Sequence, residues 1–302
     1  MDATTKPWLD LDWSAFDPWR IQPIRHRLAE HPLLRPGKVV EFGARHEKEG
    51  RVRTHSSDAT AGTSFNDAPS VHPNNKSAAQ TLADIEHARA WMSLLNIQTD
   101  TVYRTLVDAV LNEVKPHLQT KDPGMCYRAG WVFVTSPNTV TPFHMDKEHN
   151  FIVQIHGRKR LYVWDHRDKT AVSEKARDLF HESHSRDLVV WREELRSRAH
   201  VFELEPGMGA YMPSTSPHLV ENLDGSSITA SFTYYTHATR RDSLLHRTHR
   251  RLGVKGVQLP DVGAAPWLDA GIARLASWVD RRQTASGSAA SDDLPYAEHL
   301  WT

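Results

Sequence analysis

The chain has 302 residues, of which 39% are hydrophobic, and carries Lys+Arg and Asp+Glu in equal number at 37 each. That supplies enough apolar residue to bury a sizeable core in one large domain or two small ones, and the charge balance excludes a global field that would gather nucleic acid, a membrane surface or an acidic substrate. Cys126 is the single cysteine, which excludes an intrachain disulfide, a zinc ribbon and a Cys-rich cluster, so any metal site has to be built from His and carboxylate.

No stretch approaches the about 18 uninterrupted apolar residues of a spanning helix, and the start MDATTKPWLDLDW lacks a basic region followed by an apolar core; the chain is expected in the cytosol. Residues 1–40, rich in Trp and Pro, read as an extended segment with short helices clasping a larger body. From about Gly43 to Ala79 the chain is polar and reads as a long loop, taken as plain connection rather than lid. Apolar residues then recur at helical spacing, first at Leu82, Ile85, Ala88, Trp91, Leu94 and Leu95 and again at Val102, Leu106, Val110 and Val114, which predicts two packed helices between Ser77 and Leu118.

After Pro123 the rhythm changes to that of strands: GWVFVTS, TPFHMD, HNFIVQIH, RKRLYVWD, HVFELEPG, GAYMPS and SSITASFTYYT, separated by Gly, Pro or Asp turns. This predicts an antiparallel barrel or sandwich. The charged piece from Asp168 to Ser197 reads as an inserted helix and loop, with its His181/His184 pair on a surface helix. Beyond Thr239 the chain is basic and then helical, with Ile272, Leu275, Ala276 and Trp278 on one stripe, followed by a Ser/Ala-rich linker, TASGSAASDD. His237, His246 and His249 lie in that basic stretch, which lacks aromatic interleaving and is taken as a solvated face, so nucleic acid is not an expected partner.

Chemistry concentrates in TPFHMD. Residues two apart on a strand face one side, so His144 and Asp146 project into one space with an imidazole nitrogen and a carboxylate oxygen. A second histidine, His218, stands in MPSTSPHLVEN between a Gly-rich turn and more strand residues, where an opposite sheet can present it to the same space. Two histidines and one carboxylate leave coordination positions open, the arrangement of non-haem Fe(II) oxygenases, whereas zinc favours a closed tetrahedron or three ligands plus water. His149 and His156 on the adjoining strand read as wall residues, and Glu221 and Asn222 as groups that orient His218.

The stretch TPFHMDKEHNFIVQIHGRKRLYVW resembles the core of Jumonji-C and cupin-like Fe(II)- and 2-oxoglutarate-dependent oxygenases, among them asparaginyl hydroxylases acting on hypoxia-inducible factor and bacterial cupin-like relatives. The resemblance covers residues 125–237 and implies a mainly β core, a double-stranded β-helix of the cupin or jelly-roll type, flanked by an N-terminal region 1–124 and a helical extension 238–302. It implies Fe(II) on His144, Asp146 and His218, and 2-oxoglutarate held by Thr141, Asn150 and Lys159, with Ser231 as a small polar neighbour. Lys159 shares strand parity with Leu161 and Val163, so its ammonium leans into a partly apolar interior where it needs an anion such as the far carboxylate of the cosubstrate. The chain departs from the family at Met208, where an acidic residue is usual, and at Pro217, where an aromatic one is.

The implied activity is a dioxygenase, a hydroxylase taking O2 and a peptide, protein or amino-acid-like substrate. A non-oxygenase metal cupin has no use for Thr141, Asn150 and Lys159 together, and a scaffold without turnover has none for an intact triad. The C-terminal helix, about 265–282, suits a homodimer contact or an intramolecular brace equally.

Overall fold

The computed structural model describes residues 6–284, with side chains as far as residue 276. Along the chain come β1 (Leu9–Asp10), β2 (Gln22–His26), α1 (Pro36–Lys48), β3 (Val52–Ser56), α2 (Ala68–Val71), α3 (Ala78–Ala83), β4 (Ala90–Leu94) and α4 (Thr101–Leu118). The strand-rich half follows with β5 (Cys126–Thr135), β6 (Val140–His144), β7 (His149–His156), β8 (Lys159–Val163), α5 (Glu174–Ser183), β9 (His200–Leu204), β10 (Met208–Met212), β11 (His218–Asn222) and β12 (Ser227–Tyr235), then α6 (His237–Val254) and α7 (Pro266–Thr284). The strands form an antiparallel eight-stranded sheet, ordered β1-β2-β10-β7-β12-β5-β4-β3, facing a four-stranded sheet, ordered β6-β11-β8-β9. This is the double-stranded β-helix expected, with helical flanks.

Strand parity divides the large sheet into two chemistries. On its outer face Val132, Val134, Phe151, Val153, Phe232 and Tyr234 join one apolar cluster with Leu106, Val110 and Val114 of α4 and Phe42 of α1. Helix α4 begins where the Asp100 carboxylate accepts from the Val102 and Tyr103 N–H groups, a side-chain cap for its first turn. The inner face is mixed. Ile152, Leu161, Val163, Ala210, Met212 and Val220 fill part of the barrel interior with apolar side chains, while Trp91, Trp131, Phe133, Asn150, Ser231 and Thr233 line a cavity in it.

Two expectations fail here for identifiable reasons. The first of the two helices expected after Ser77 stops at Ala83, and Trp91 and Leu94 lie on β4. Every β4 residue is buried, and a short run of apolar residues covered on both faces carries no periodicity to separate strand from helix. The segment 43–79 is no long loop: α1 runs through its start, β3 pairs with β4 across Thr54 and Met92, and α2 follows. Together β1 to β4 make the N-terminal region part of the large sheet. The insertion 168–197 carries the expected helix, α5, between β8 and β9, and it is rooted in the body through Phe180 and Leu195, in an apolar cluster beside Phe143 and Trp164. The Ser/Ala-rich tail lies outside the described residues from residue 285 onward; of the helical stripe, Leu275 is 64% exposed, and the side chain of Trp278 lies outside the described residues.

The far side of β7 is fixed by a polar network. His149 is fully buried, its Nε2–H donating to Asp122 Oδ2 at 3.1 Å while Nδ1 accepts from Ser214 N–H at 3.2 Å. Replacing Asp122 by alanine leaves a buried donor unanswered, at a cost of about 2 kcal/mol. The expected result is a lower denaturant midpoint with an unchanged slope; an unshifted midpoint would remove this contact from the account of stability.

Candidate metal centre and cosubstrate cavity

The sheet register makes the first part of the site. In the β6–β11 pair His144 stands directly opposite His218, and their rings lie 4.1 Å apart. Each ring is anchored through one nitrogen: His144 Nδ1–H donates to the Pro142 carbonyl at 2.8 Å and His218 Nδ1–H to the Ser216 carbonyl at 3.1 Å. This fixes the tautomer and frees both Nε2 lone pairs. They converge on one oxygen, since each Nε2 lies 3.7 Å from Asp146 Oδ2. Burial lowers the pKa of both rings, for His144 well below the usual value, so both are neutral and able to ligate. His144, Asp146 and His218 present ligand atoms within 4.8 Å of one another.

The carboxylate is held from its other oxygen. Asp146 Oδ1 accepts from Arg186 Nη2 at 2.9 Å, and the same guanidinium donates through Nε to the Met145 carbonyl and through Nη1 to Asn66 Oδ1. Phe65 and Phe180 cover Arg186, its guanidinium carbon lying 5.0 and 4.7 Å from their ring centroids. Burial works against the Asp146 carboxylate, but the Arg186 guanidinium bonded to it keeps it ionised, its pKa below the ordinary carboxylate value. Phe65 also stacks on His144, centroids 3.9 Å apart, and Arg53 donates to its carbonyl. The connection after β3 thus reaches across to the metal centre, which the expectation of a plain loop did not include.

Beside the triad lies a cavity of about 520 Å³ whose lining includes His144, Asp146, Asn150 and Ser231. Its aromatic side is Phe65, Trp91, Trp131 and Phe133. On its polar side Asn150 Oδ1, Ser231 Oγ, Thr233 Oγ1 and Ser93 Oγ are all buried without a hydrogen-bond partner. Buried polar atoms are nearly always satisfied, so such a group on one cavity wall marks the place of a polar guest. Glu148 is on the same wall, its pKa raised to about 7 by burial and then by the charge of Asp146.

The remaining residues expected in the site are placed as follows. Thr141 is buried on β6 with its Oγ1 accepting from Trp91 Nε1 at 2.8 Å, which puts it behind the cavity wall. Lys159 is 3% exposed, on β8 opposite Leu204 and Asn222, and is not among the cavity-lining residues. Burial alone brings its pKa down to about 7, and no hydrogen bond or ion pair meets its ammonium among the described residues. Glu221 and Asn222 do not orient His218: Glu221 bonds Tyr162 and Arg196, and Asn222 donates to the Ser136 and Gly225 carbonyls. The turn before Lys159 requires glycine, since Gly157 has φ +70° and a Cβ there would strike the Ser226 carbonyl.

Among the other histidines, His149 is the wall residue expected, and His156 is exposed. His181 and His184 correct the reading of a surface helix: His181 is buried and His184 lines the cavity. His246 and His249 are buried too, not part of a solvated basic face. Sequence reasoning missed Arg186 and Glu148 altogether. Phe65, the only aromatic residue between 43 and 79, carried a signal.

The cupin-like domain profile matches residues 10–240. The chain belongs to the cupin-like domain family. Among solved structures, this cupin-like chain is similar to Escherichia coli YcfD at 15% identity and TM-score 0.49, over 91% of this chain and 69% of that one. A second structure of YcfD, described as a ribosomal oxygenase in complex with cobalt and 2-oxoglutarate, matches at 15% identity and TM-score 0.47 over 93% and 69%. The DMSP lyase DddQ from Ruegeria pomeroyi matches at 15% and 0.23 over 36% and 39%. No curated protein matches the chain, and no helix among the described residues is long and apolar enough to cross a membrane.

Proposed function

We propose that this cupin-like protein is an Fe(II)- and 2-oxoglutarate-dependent dioxygenase that hydroxylates a peptide, protein or amino-acid-like substrate. The observation that carries the reading is the convergence of two neutral, anchored imidazoles on one carboxylate oxygen at the wall of a cavity with unsatisfied polar atoms. The donor set fits a facial site for Fe(II): two nitrogens and one oxygen, the rest open toward the cavity. When bound there, Fe(II) with 2-oxoglutarate and O2 supplies the oxidising chemistry, with succinate and CO2 as coproducts.

The chain's own residues then orient and exclude. Asn150 and Ser231 offer an acceptor and a hydroxyl to the cosubstrate, Thr141 backs the same wall, and Lys159 answers the far carboxylate. The aromatic side displaces water, which strengthens each of these contacts. A metal cupin without oxygenase chemistry would not need a buried cation facing no counter-charge, and Lys159 is the feature that favours the cosubstrate over that alternative.

The protein with Fe(II) and 2-oxoglutarate under nitrogen is expected to show a visible metal-to-ligand charge-transfer band that Asp146→Ala lacks. A wild-type sample with confirmed iron and no band on adding 2-oxoglutarate would rule out chelation and return the site to the non-oxygenase reading.

A further inference from the structure

Another group of donors lies apart from the triad, between α5 and α6. Glu174 is in the first turn of α5, Asp178 sits one turn later on the same face, and His246 comes from α6. His246 Nδ1 is 2.8 Å from Asp178 Oδ1 and 3.9 Å from Glu174 Oε1, and the ligand atoms of all three lie within 4.8 Å of one another. Glu174 and Asp178 keep only 16% and 15% of their side-chain surface exposed. Carboxylates withdrawn from water call for an answering charge, yet no Lys or Arg among the described residues is in ion-pair contact with either. Of the bases nearby, Lys169 pairs with Asp261 and Arg241 with Asp242, while Arg177 donates through Nη1 to the Thr215 carbonyl and acts on Glu174 through space without a direct ion pair.

An independent observation comes from His181. Its ring lies parallel to that of His246, centroids 4.8 Å apart and planes within 3°, and it lines the same cavity of about 310 Å³ as Glu174 and His246. It is 3% exposed, and neither ring nitrogen has a hydrogen-bond partner. An imidazole with no partner on either nitrogen has hydrogen-bonding and ligating capacity to spare in a polar cavity. A hydrogen-bonded His–Asp pair by itself would explain His246 and Asp178; it leaves Glu174 without a directly bonded countercharge and His181 without a hydrogen-bond partner.

We propose that Glu174, Asp178 and His246, with His181 beside them, form a second cation site, for a divalent ion that accepts mixed imidazole and carboxylate ligands as zinc does. The ion gives both carboxylates a directly bonded positive charge, and the cavity leaves room for water at its open positions. It also joins three parts of the chain, because Glu174 Oε1 accepts from Val262 N–H and Lys169 pairs with Asp261 in the connection between α6 and α7. The site is therefore structural, fastening the C-terminal helices to the insertion that carries Arg186.

The test uses the full chain, stripped with a chelator, incubated with Zn2+ and freed of loose metal before the bound metal is counted. The wild type is expected to keep two equivalents, Asp146→Ala one, Asp178→Asn one, and the double variant none. In the Asp146→Ala background Zn2+ should also raise the thermal midpoint, and in the double variant it should not. His246→Gln is the second variant, with the equivalent retained at the triad reporting that the chain is folded. If Asp146→Ala retains no zinc, or if Asp178→Asn and His246→Gln both retain two equivalents, the second site is overturned. If Asp146→Ala loses nothing while Asp178→Asn loses one, the second site stands and the metal centre assigned to the triad falls.

Discussion

Replacing Arg186 by alanine is expected to weaken metal binding by about 10- to 100-fold, although it touches none of the three ligand atoms. Arg186 holds the oxygen of Asp146 that does not face the histidines, and its planar fork spends its other donors on the Met145 carbonyl and on Asn66. Without it the carboxylate can rotate away from the two Nε2 atoms, and its negative charge loses the one permanent cation bonded to it. Lysine does not restore the geometry, because a point ammonium cannot meet three acceptors in one plane. Asn66→Ala is the comparison: it frees the loop after β3 while leaving the Arg186–Asp146 bond, so metal affinity should stay near that of the wild type. Calorimetric titration of the stripped protein with Fe(II) under nitrogen checks both. Unchanged affinity in a folded Arg186→Ala protein would show that the sheet register alone orients Asp146.

The difference between His144 and Arg186 shows where the sequence is readable. His144, Asp146 and Asn150 sit on or just beyond strands whose period of two is visible in the residues, and a register that pairs β6 with β11 brings His218 opposite without further information. Thr141 and Lys159 follow the same logic as far as burial, which strand parity alone indicates. Arg186 sits in a charged insertion where local pattern cannot tell a buried, fully bonded guanidinium from a solvated one, because its partners lie 40 and 120 positions away. Trp91 fails for the opposite reason: a residue on a strand buried on both faces gives no alternation to read, and its helical spacing with Leu94 and Leu95 was accidental. His181 reads with His184 as a pair on a surface helix lacking a third partner, and His246 as part of a solvated basic face; the approach of α5 to α6, which neither segment's own pattern shows, brings the two rings together.

Lys159→Met is expected to abolish measurable 2-oxoglutarate binding at neutral pH while making the cosubstrate-free protein more stable. The two effects share one cause. An ammonium buried with no counter-charge raises the free energy of the folded state, and methionine fills the same space without that penalty. The pH dependence fixes the sign. The folded pKa, about 7, lies below the ordinary 10.5, so between these values the unfolded chain binds more protons than the folded one, and the stability of the wild type rises with pH through that window. Below pH 7 the lysine is charged in both states and the full penalty applies. The depression corresponds to a few kcal/mol at about 1.4 kcal/mol per unit, enough to be seen as a sloping denaturation midpoint between pH 7 and pH 10 that flattens in Lys159→Met. A bound 2-oxoglutarate dianion returns the group to its charged form, so at pH 8 binding should take up as much as one proton in the wild type and none in the variant, read by calorimetry in buffers of different ionisation enthalpy. Tight cosubstrate binding in Lys159→Met, with no difference in proton uptake, would remove Lys159 from the cosubstrate site and leave its burial without a functional cause.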